Sequence, residues 1–528
     1  MTDPQLHREL FQTLADLQSE RKNGIWARII KNAFAPLFAG KFDLIVGNPP
    51  WVNWENLPRE YRDISESIWK HYGLIGDIPT ARRQVSGYSK TDVAILMTYV
   101  AADKYANEGA SLGLVLPKTI FQSELGGWHF RRFQMPNGKP LGVSTVDDID
   151  RLRPFSGQAT NMSCVAAFTF DAHPTGYPVP WNRWEPRGEG RSVGPHTPYS
   201  AVLEAVQISP LQAQPIDIGQ RQSPWVVGDR EALSVLRQVT TSSGYASLAR
   251  EGINTRGANG IFFVDASFRD GQIFITNRHH DGRNEQIEEF TQSVEREHLY
   301  PLLRGENVGR FTGVPDHFVL VPHDPDDPVD PILFRRLPSR TRDFLSHFRP
   351  YLQARRRFRN FNPAEGPWHG LYSVLSATFS PYKVVWREIH RGCVAAVVGN
   401  ARLPDGTMAV IIPDHKLFII PCSKQEEADF ICGFLNSEVA NFIVGSYAVT
   451  TGISTHILRR VPIPRFDPDN IRHIRISEQS RSLREAGVPL SVLDDRLSEL
   501  NVLVGQEIGL GARVRSRVRD AVRSLGIR

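Results

Sequence analysis

The chain has 528 residues, a mass of 59.5 kDa and a formal net charge of +5, with 41% hydrophobic and 23% charged residues. This length predicts two to four domains, and the composition excludes a disordered, collagenous or coiled-coil protein. No run of 18 apolar residues is present, and the charged N-terminus lacks an apolar signal core. We therefore expect a cytoplasmic protein that does not span a membrane.

The four cysteines are widely separated in the sequence and include no Cys-x-x-Cys pair: Cys164, Cys393, Cys422 and Cys432. This spacing predicts neither a zinc site nor a disulfide framework, and it suits a reducing cytoplasm. We expect no metal site.

The first 172 residues alternate between helical and strand patterns. Apolar spacing predicts a helical region over 5–37, and the short run Phe42–Val46, which Gly47 follows, predicts a strand buried on both faces. Further patterns predict a helix over Thr91–Ala106 and another from Thr119, and strands over Ser111–Leu116, Val143–Ile149 and Cys164–Phe170. Together they predict the partial, Rossmann-like sheet of an α/β domain.

Composition changes after this domain. Residues 173–224 begin with a stretch rich in proline and glycine and are predicted to be a linker. Residues 225–466 mix short strands with helices and predict a second domain of α+β type. Residues 467–528 predict a helical, arginine-rich tail, and from Thr451 to Arg528 the chain has 14 Arg, no Lys and 9 acidic residues. The tail either contacts phosphates through arginine or is a solvated helical face.

The segment Gly47-Asn48-Pro49-Pro50-Trp51 follows the first predicted strand. Two prolines stiffen this loop and donate no backbone hydrogen bonds, so its carbonyl groups are free to accept. Asn48 offers an amide oxygen at the carboxyl end of a strand, where open α/β sheets bind ligands, and Trp51 adds a flat aromatic face. Acceptors beside an aromatic ring suit the amino group of a heteroaromatic base, although a rigid turn with a packed tryptophan has the same residues.

Asn-Pro-Pro-Trp after FDLIVG resembles the catalytic motif of amino-methylating DNA methyltransferases. The resemblance implies that Asn48 and Pro49 bind the exocyclic nitrogen of a flipped adenine, that Pro50 completes the motif and that Trp51 stacks on the base. ASLGLVLPKTIF and LRPFSGQATNMSCVAAFTF resemble later strands of these enzymes, which makes Phe155 a second stacking candidate or a packing residue. Asp92 matches a position near the S-adenosylmethionine cofactor, or it favours the dipole of its helix.

Stretches of the second domain, including GINTRGANGIFFV, YPLLRGENVGRF, YKVVWREI and TGISTHILRRVPIPRF, resemble target-recognition domains. The enzymes concerned are type IIG and BREX- or DISARM-like phage-defence methyltransferases that act on adenine N6. The resemblance implies double-stranded DNA as partner. The alternative for each candidate DNA contact is a solvated surface charge. The candidates are Arg256, Arg304, Lys383, Arg387, His456, Arg459 and Arg460.

The family's Gly-x-Gly cofactor turn is missing from the 47 residues before Asn48. Gly188-Glu189-Gly190 and Gly509-Leu510-Gly511 match it weakly. We therefore expect the catalytic half of a split enzyme, with a second protein subunit that carries the cofactor-binding half, or a fragment of a longer chain. The alternative is a non-catalytic DNA-recognition subunit of a defence complex.

Overall fold

The computed structural model describes residues 4–20, 25–75, 91–124, 126–155, 162–188, 194, 197–282, 284–355, 367–388, 390, 392–447, 453–525 and 527. These residues form two compact units. The first comprises residues 1–121 and 125–223, and the second comprises residues 122–124 and 224–528.

The first unit is built on a mixed sheet. Its helices are α1 (Pro4–Ser19), α2 (Ile25–Phe38), α3 (Arg59–His71), α4 (Val93–Tyr105), α5 (Thr119–Gln122) and α6 (Tyr199–Ala205). Its strands are β1 (Phe42–Gly47), β2 (Ala106–Pro117), β3 (Leu141–Asp148), β4 (Ser163–Phe170), β5 (Val179–Pro186) and β6 (Val206–Pro215). The hydrogen-bonded order within the unit is β1-β2-β4-β3-β5-β6.

The direction of the strands changes across this sheet. β1 and β2 are parallel, whereas β4 is antiparallel to both β2 and β3, and β5 is parallel to β3. Each predicted strand of the first 172 residues is present within a few residues of its expected ends, except that β2 starts five residues earlier than Ser111. The α/β fold class is therefore confirmed for this part of the chain.

The predicted linker is wrong. Residues 173–224 contain β5, α6 and β6, and β5 pairs with β6 along its whole length and with β3 at Trp181, Asn182 and Arg183. Proline misled the prediction because Pro180, Pro186 and Pro210 lie within these strands. Residues 189–193, 195 and 196 of the same stretch lie outside the described residues.

The described residues of the second unit form three sheets and a helical layer. Its strands are β7 (Trp225–Gly228), β8 (Arg250–Glu251), β9 (Phe263–Arg269), β10 (Gln272–Asn277), β11 (Thr291–Val294), β12 (Leu299–Leu303), β13 (His317–Leu320), β14 (Tyr382–Arg387), β15 (Ala395–Val398), β16 (Asn400–Arg402), β17 (Met408–Val410), β18 (Ile412–Pro413) and β19 (Leu417–Cys422). The sheet orders are β11-β10-β9-β13-β12-β18, β15-β14-β19-β8 and β16-β17. The helices are α7 (Arg230–Val239), α8 (Asn259–Phe262), α9 (Ser339–His347), α10 (Arg349–Gln353), α11 (Gln425–Asn436), α12 (Glu438–Tyr447), α13 (Ile471–Glu485), α14 (Ser498–Glu507) and α15 (Ala512–Leu525).

The C-terminal helices belong to the core of this unit and do not form a separate tail. α13 packs on α11, and α15 packs on α12 and α7. Leu497, Leu500 and Val504 form an apolar stripe that is fully buried inside the unit. Apolar spacing predicted the helices correctly but could not show what they contact.

Candidate active site

The Asn48–Trp51 loop begins where β1 ends, at the carboxyl end of two parallel strands. Gly47 is paired with Leu114 of β2, so the loop passes the end of β2 as it leaves the sheet. The indole Nε1 of Trp51 donates a hydrogen bond of 3.3 Å to the carbonyl of Val115 in β2. One side-chain contact thus fixes the aromatic ring beside the strand ends.

Exposure of the loop residues suits contact with a ligand. The Asn48 side chain is exposed, whereas Pro49 and Trp51 are half-buried. An asparagine amide in this position can accept a hydrogen bond from an amino group, and the Pro49 carbonyl is a second acceptor on a rigid backbone.

The residues after Trp51 are tied to the start of α4. The Trp54 amide donates to the carbonyl of Thr91, and the Val93 amide donates to the carbonyl of Val52, both at 2.9 Å. The Trp54 ring is buried edge-on against Trp69 of α3, with 5.3 Å between ring centroids. The loop is consequently held at both ends, by β1 before it and by α4 after it.

Asp92 is the N-cap of α4. Its Oδ1 accepts a hydrogen bond of 2.8 Å from the Ala94 amide, and its carboxylate also accepts from the Val52 amide, next to Trp51. These hydrogen bonds direct the carboxylate at the backbone and give Asp92 a positioning role, whereas its contact with the cofactor stays a prediction. Burial raises the pKa of Asp92 to about 6, and the two backbone hydrogen bonds oppose that rise.

We expect Asp92→Asn to change how stability depends on pH. The pKa is about 6 in the folded chain against 3.8 for the free side chain, so folding favours the protonated acid and its contribution is lost as pH rises through about 6. The free energy of unfolding of the variant minus that of the parent should rise between about pH 4 and pH 6, by at most about 3 kcal/mol. Denaturant unfolding of both chains across this range measures it, and parallel pH curves would show that folding does not shift the pKa of Asp92.

Phe155 lies next to Trp51, as the stacking hypothesis requires. The two ring centroids are 5.5 Å apart, with an interplanar angle of 86°. A base between two parallel rings needs a gap of about 7 Å, twice the separation of stacked carbon atoms. The edge-to-face contact fills that space here, so a base can lie between the rings only after they move apart and one of them rotates.

Lys118 and Asp148 form a buried ion pair near the loop that sequence analysis did not single out. Lys118 Nζ lies 3.1 Å from Asp148 Oδ2 and 3.2 Å from Asp150 Oδ2. Asp150 begins the short 3₁₀ turn Asp150–Leu152, so the pair connects the end of β2 to the segment that leads to Phe155. The lysine directly after the β2 strand was the available signal, but its acidic partners are about thirty residues away in sequence.

The expectation that β1 is buried on both faces is wrong. Phe42, Leu44 and Val46 point to the same side of the strand and are exposed, Leu44 to 66% and Val46 to 74%. β1 is an edge strand of the sheet, paired only with β2 among the described strands. Other large apolar side chains are exposed on the two N-terminal helices: Leu10, Phe11, Ile29, Phe34, Leu37 and Phe38.

The described residues do not complete a site for S-adenosylmethionine beside the loop. The Asp92 carboxylate is committed to the backbone, and the side of β1 away from β2 has no strand among the described residues. Gly509-Leu510-Gly511 follows helix α14 instead of a strand, which removes it as a cofactor turn, and Gly188-Glu189-Gly190 lies partly outside the described residues. Among the described residues, the acceptors for an amine are present without a complete set of groups to hold a methyl donor.

Three of the candidate DNA contacts lie near one another in the second unit. Arg304 and Arg387 line a recess of about 310 Å³. Arg304 pairs with Asp281 at 3.2 Å. Arg256 is exposed, has a φ of 54° and lies over the Tyr372 ring at 5.4 Å. Burial raises the pKa of Glu251, and the positive charges of Arg256 and of Lys416 oppose that rise. Lys416 also lines the recess.

Lys383 is not a surface residue. It is fully buried in β14, and its Nζ donates to the carbonyl of Ser380 at 2.7 Å. Burial lowers the pKa of Lys383 to about 7. Its proposed contact with DNA is withdrawn, because strand alternation turns this side chain into the unit.

The remaining three candidates share one 3₁₀ turn, Thr455–Arg459, and the residue after it. Arg459 is exposed, His456 is half-buried, and Arg460 lies 3.9 Å from Glu124. Burial and the charge of Arg459 lower the pKa of His456, which is therefore neutral at pH 7. Thr451 and Gly452, in the same stretch, lie outside the described residues.

Much of the arginine excess near the C-terminus is engaged within the protein. Arg481 and Arg484 both contact the buried Asp429, at 3.1 and 3.2 Å. Arg472 pairs with Glu507 at 2.8 Å, and Arg519 contacts Glu438 at 3.3 Å. These arginines serve the fold, which leaves less of the tail's charge for phosphates than its composition predicted.

No helix in the described part of the chain is long and apolar enough to cross a membrane. Within the same residues, no group of three or more His, Cys, Asp and Glu side chains is arranged to hold a metal ion. The four cysteines are buried free thiols.

Two solved structures resemble the chain at low identity. One is the type IIL restriction-modification enzyme MmeI in complex with DNA, with a TM-score of 0.47, 12% identity and coverage of 92% of this chain and 57% of that one. The other is the type IIG restriction endonuclease BpuSI, with a TM-score of 0.34, 13% identity and coverage of 93% and 54%. The chain thus spans little more than half the length of either protein. No curated protein matches it in sequence.

The family comparison matches the region that contains the loop. Residues 3–141 match the family model described as Eco57I restriction-modification methylase. The match includes β1, the Asn48–Trp51 loop, α4 and β2. The part of the chain with the candidate active site is therefore similar in sequence to the Eco57I restriction-modification methylases.

Proposed function

We propose that this chain is the amine-binding and target-recognising component of a DNA adenine-N6 methyltransferase. The observation that carries the proposal is the Asn48–Trp51 loop at the carboxyl end of β1, with Trp51 fixed to Val115 of β2. The family match over residues 3–141 supports a methylase of restriction-modification type. A restriction-modification or phage-defence system is the setting we propose.

The proposed chemistry depends on two hydrogen-bond acceptors, the Asn48 amide oxygen and the Pro49 carbonyl, that bind one amino group. The amino nitrogen of adenine is a weak nucleophile because its lone pair is delocalised into the ring. Hydrogen bonds from its two N–H groups to Asn48 Oδ1 and the Pro49 carbonyl would localise that lone pair as positive charge develops on nitrogen. S-adenosylmethionine would supply an electrophilic methyl group, and this chain would orient the acceptor.

The target base must leave the duplex to reach such a loop. Trp51 offers the flipped base a stacking face, and its hydrogen bond to Val115 limits the loss of side-chain freedom on binding. Phe155 would cover the other face of the base after it swings away from Trp51.

We expect Trp51→Ala to weaken capture of the flipped base by about 1–3 kcal/mol, the value of one base–aromatic stack. Fluorescence of 2-aminopurine at the target position of a duplex, bound by the complete enzyme, measures the change. Trp51→Phe is the matched control, since it keeps an aromatic face and loses only the Nε1 hydrogen bond. An unchanged signal for Trp51→Ala would remove this residue from the base-binding site.

We propose that a second polypeptide supplies the cofactor-binding half. The uncovered side chains of β1 support this, since an apolar edge strand readily accepts a further strand. Such a polypeptide would add a strand beside β1, cover Phe42, Leu44 and Val46, and bring the cofactor towards the Asn48–Trp51 loop.

Target recognition is assigned to the second unit in this proposal. Arg256, Arg304 and Arg387 are arginines on or near one recess, and Arg459 is exposed on the Thr455–Arg459 turn. Arginine is suited to guanine edges and to phosphates. Exposed arginines outside ion pairs would add sequence-independent affinity.

The second candidate function is a non-catalytic DNA-recognition subunit, favoured because the described residues do not complete a cofactor site. Labelled S-adenosylmethionine and DNA, incubated with the chain alone and with the product of a neighbouring gene, separate the two. Methyl transfer in the mixture supports the enzyme component. DNA binding without transfer in any combination supports the recognition subunit.

A further inference from the structure

A cavity of about 720 Å³ in the second unit has no role in the proposed methyl transfer. It lies between the 308–314 turn, β15 and the residues that follow α13. Three arginines and a histidine line it, and its lining includes no aspartate or glutamate: Arg310, Arg387, His390 and Arg484. We call it the Arg310 cavity.

Arg310 is the most unusual of these residues, because it is only 4% exposed and its charge has no carboxylate partner in the described structure. Its Nη1 donates to the carbonyl of Cys393 at 3.0 Å and to that of Asn436 at 3.3 Å. Its Nε and Nη2 have no acceptor in the described part of the chain. Burial lowers the pKa of Arg310 to about 10, so the side chain is still a cation at pH 7.

Among the neighbouring groups, Arg387 adds to this charge. Arg387 donates from Nη2 to the Glu306 carbonyl at 3.3 Å, and its buried Nε has no acceptor among the described residues. Arg484 is paired with Asp429, which also accepts from Arg481, and Arg481 lies 3.5 Å from Glu426 as well. His390 is neutral at pH 7, because burial and the charges of Arg310 and Arg387 lower its pKa.

A buried cation with unused donors is costly unless an anion completes it. The planar guanidinium fork matches the oxygen atoms of a phosphate group, and two such forks exclude a metal cation from the same place. The rest of the cavity is partly apolar, with Val308, Phe311 and Ile411 among its walls. Its volume is within the range of sites for small molecules.

We propose that the Arg310 cavity binds a phosphate group of a nucleotide, with Arg310 and Arg387 on the phosphate and the apolar wall against the base or sugar. A free mononucleotide is the occupant that the cavity's volume favours, and a backbone phosphate of DNA offers the same group. The site would serve as a regulatory or auxiliary nucleotide site in the second unit, independent of the Asn48–Trp51 loop in the first.

A purely structural role for Arg310 makes an opposite prediction. If its bonds to Cys393 and Asn436 serve only to join the residues before β15 to α11, then Arg310→Met should lower the melting temperature of the unliganded chain. If the arginine is kept for a ligand, the variant removes an unpaired buried charge and should be at least as stable as the parent.

The test measures binding to the full-length chain by calorimetry and by thermal unfolding at fixed ionic strength. The ligands are inorganic phosphate, dAMP, ATP, deoxyadenosine without phosphate, and a short duplex. The proteins are the parent, Arg310→Met, Arg387→Gln and the control Arg475→Gln, which replaces an exposed arginine that pairs with Glu499 and is not part of the cavity lining.

We expect dAMP or ATP to bind the parent and the control, to raise their melting temperatures with increasing concentration, and to bind at least tenfold more weakly to Arg310→Met and Arg387→Gln. Deoxyadenosine should have no effect.

If only the duplex responds to both substitutions, the phosphate comes from DNA. If Arg310→Met does not fold, the affinity of Arg387→Gln for the nucleotides decides the test, because this substitution replaces only a half-buried residue. The proposal is overturned if no phosphate-bearing ligand binds the parent, or if both variants bind as the control does.

Discussion

Asn48→Ala is expected to abolish methylation of DNA and to leave the fold and the affinity for DNA unchanged. The exposed amide of Asn48 makes no described contact within the protein, so its removal costs the structure little. An acceptor that acts at the reacting nitrogen contributes about a hundredfold or more in rate. The measurement is the initial rate of methyl transfer by the complete enzyme, with each chain present at the same concentration.

Asn56→Ala is the matched control for this substitution, because Asn56 is an exposed asparagine a few residues further along the same connection. It should methylate at the parent rate. Normal methylation by Asn48→Ala would show that the Asn48–Trp51 loop is not the amine-binding site, whatever else the chain does.

Lysine at Leu44 or Val46 should prevent assembly with the cofactor-binding half. Both side chains are exposed, so each substitution should change the free energy of unfolding of the isolated chain by less than about 0.5 kcal/mol. In an assembled sheet the same lysine would be buried without a partner, which costs several kcal/mol. We therefore expect a loss of at least about a hundredfold in methylation with a stable chain.

Ile64→Lys is the control, because Ile64 is 79% exposed on α3 and is not part of β1. Co-purification and methyl transfer should be lost for the β1 variants and kept for the control. Full activity of Leu44→Lys and Val46→Lys would mean that the apolar face of β1 remains open in the working enzyme, and the assembly we propose would be wrong.

The strands of the first unit could be predicted because each is a short apolar run between turn residues. Their environment could not. β1 has the composition of a buried strand, yet Leu44 and Val46 are exposed because no described strand or helix covers that side. The linker prediction failed for a related reason: proline weakens the strand signal in sequence, and the pairing of Val179–Pro186 with two neighbours restores the strand in the fold.

The candidate site was predictable only as far as local sequence extends. The Asn48–Trp51 loop is contiguous, so its acceptors and aromatic ring are visible in the sequence, and Phe155 was found through resemblance. The ion pair of Lys118 and Asp148 joins residues thirty positions apart, and no short motif encodes it. Lys383 and the C-terminal arginines were predicted to contact DNA, but Lys383 is buried and several of the arginines form ion pairs within the protein. The sequence shows that a residue is charged, but it does not show whether the fold buries or pairs that charge.

The central claim is tested most directly by the chemical identity of the product. DNA from a host free of adenine methylation, expressing this chain together with its cofactor-binding partner, should contain N6-methyladenine at one recognised sequence when its nucleosides are analysed by mass spectrometry. Expression of either protein alone should give none. Methylation of cytosine, or unmodified DNA from the complete pair, would contradict the account.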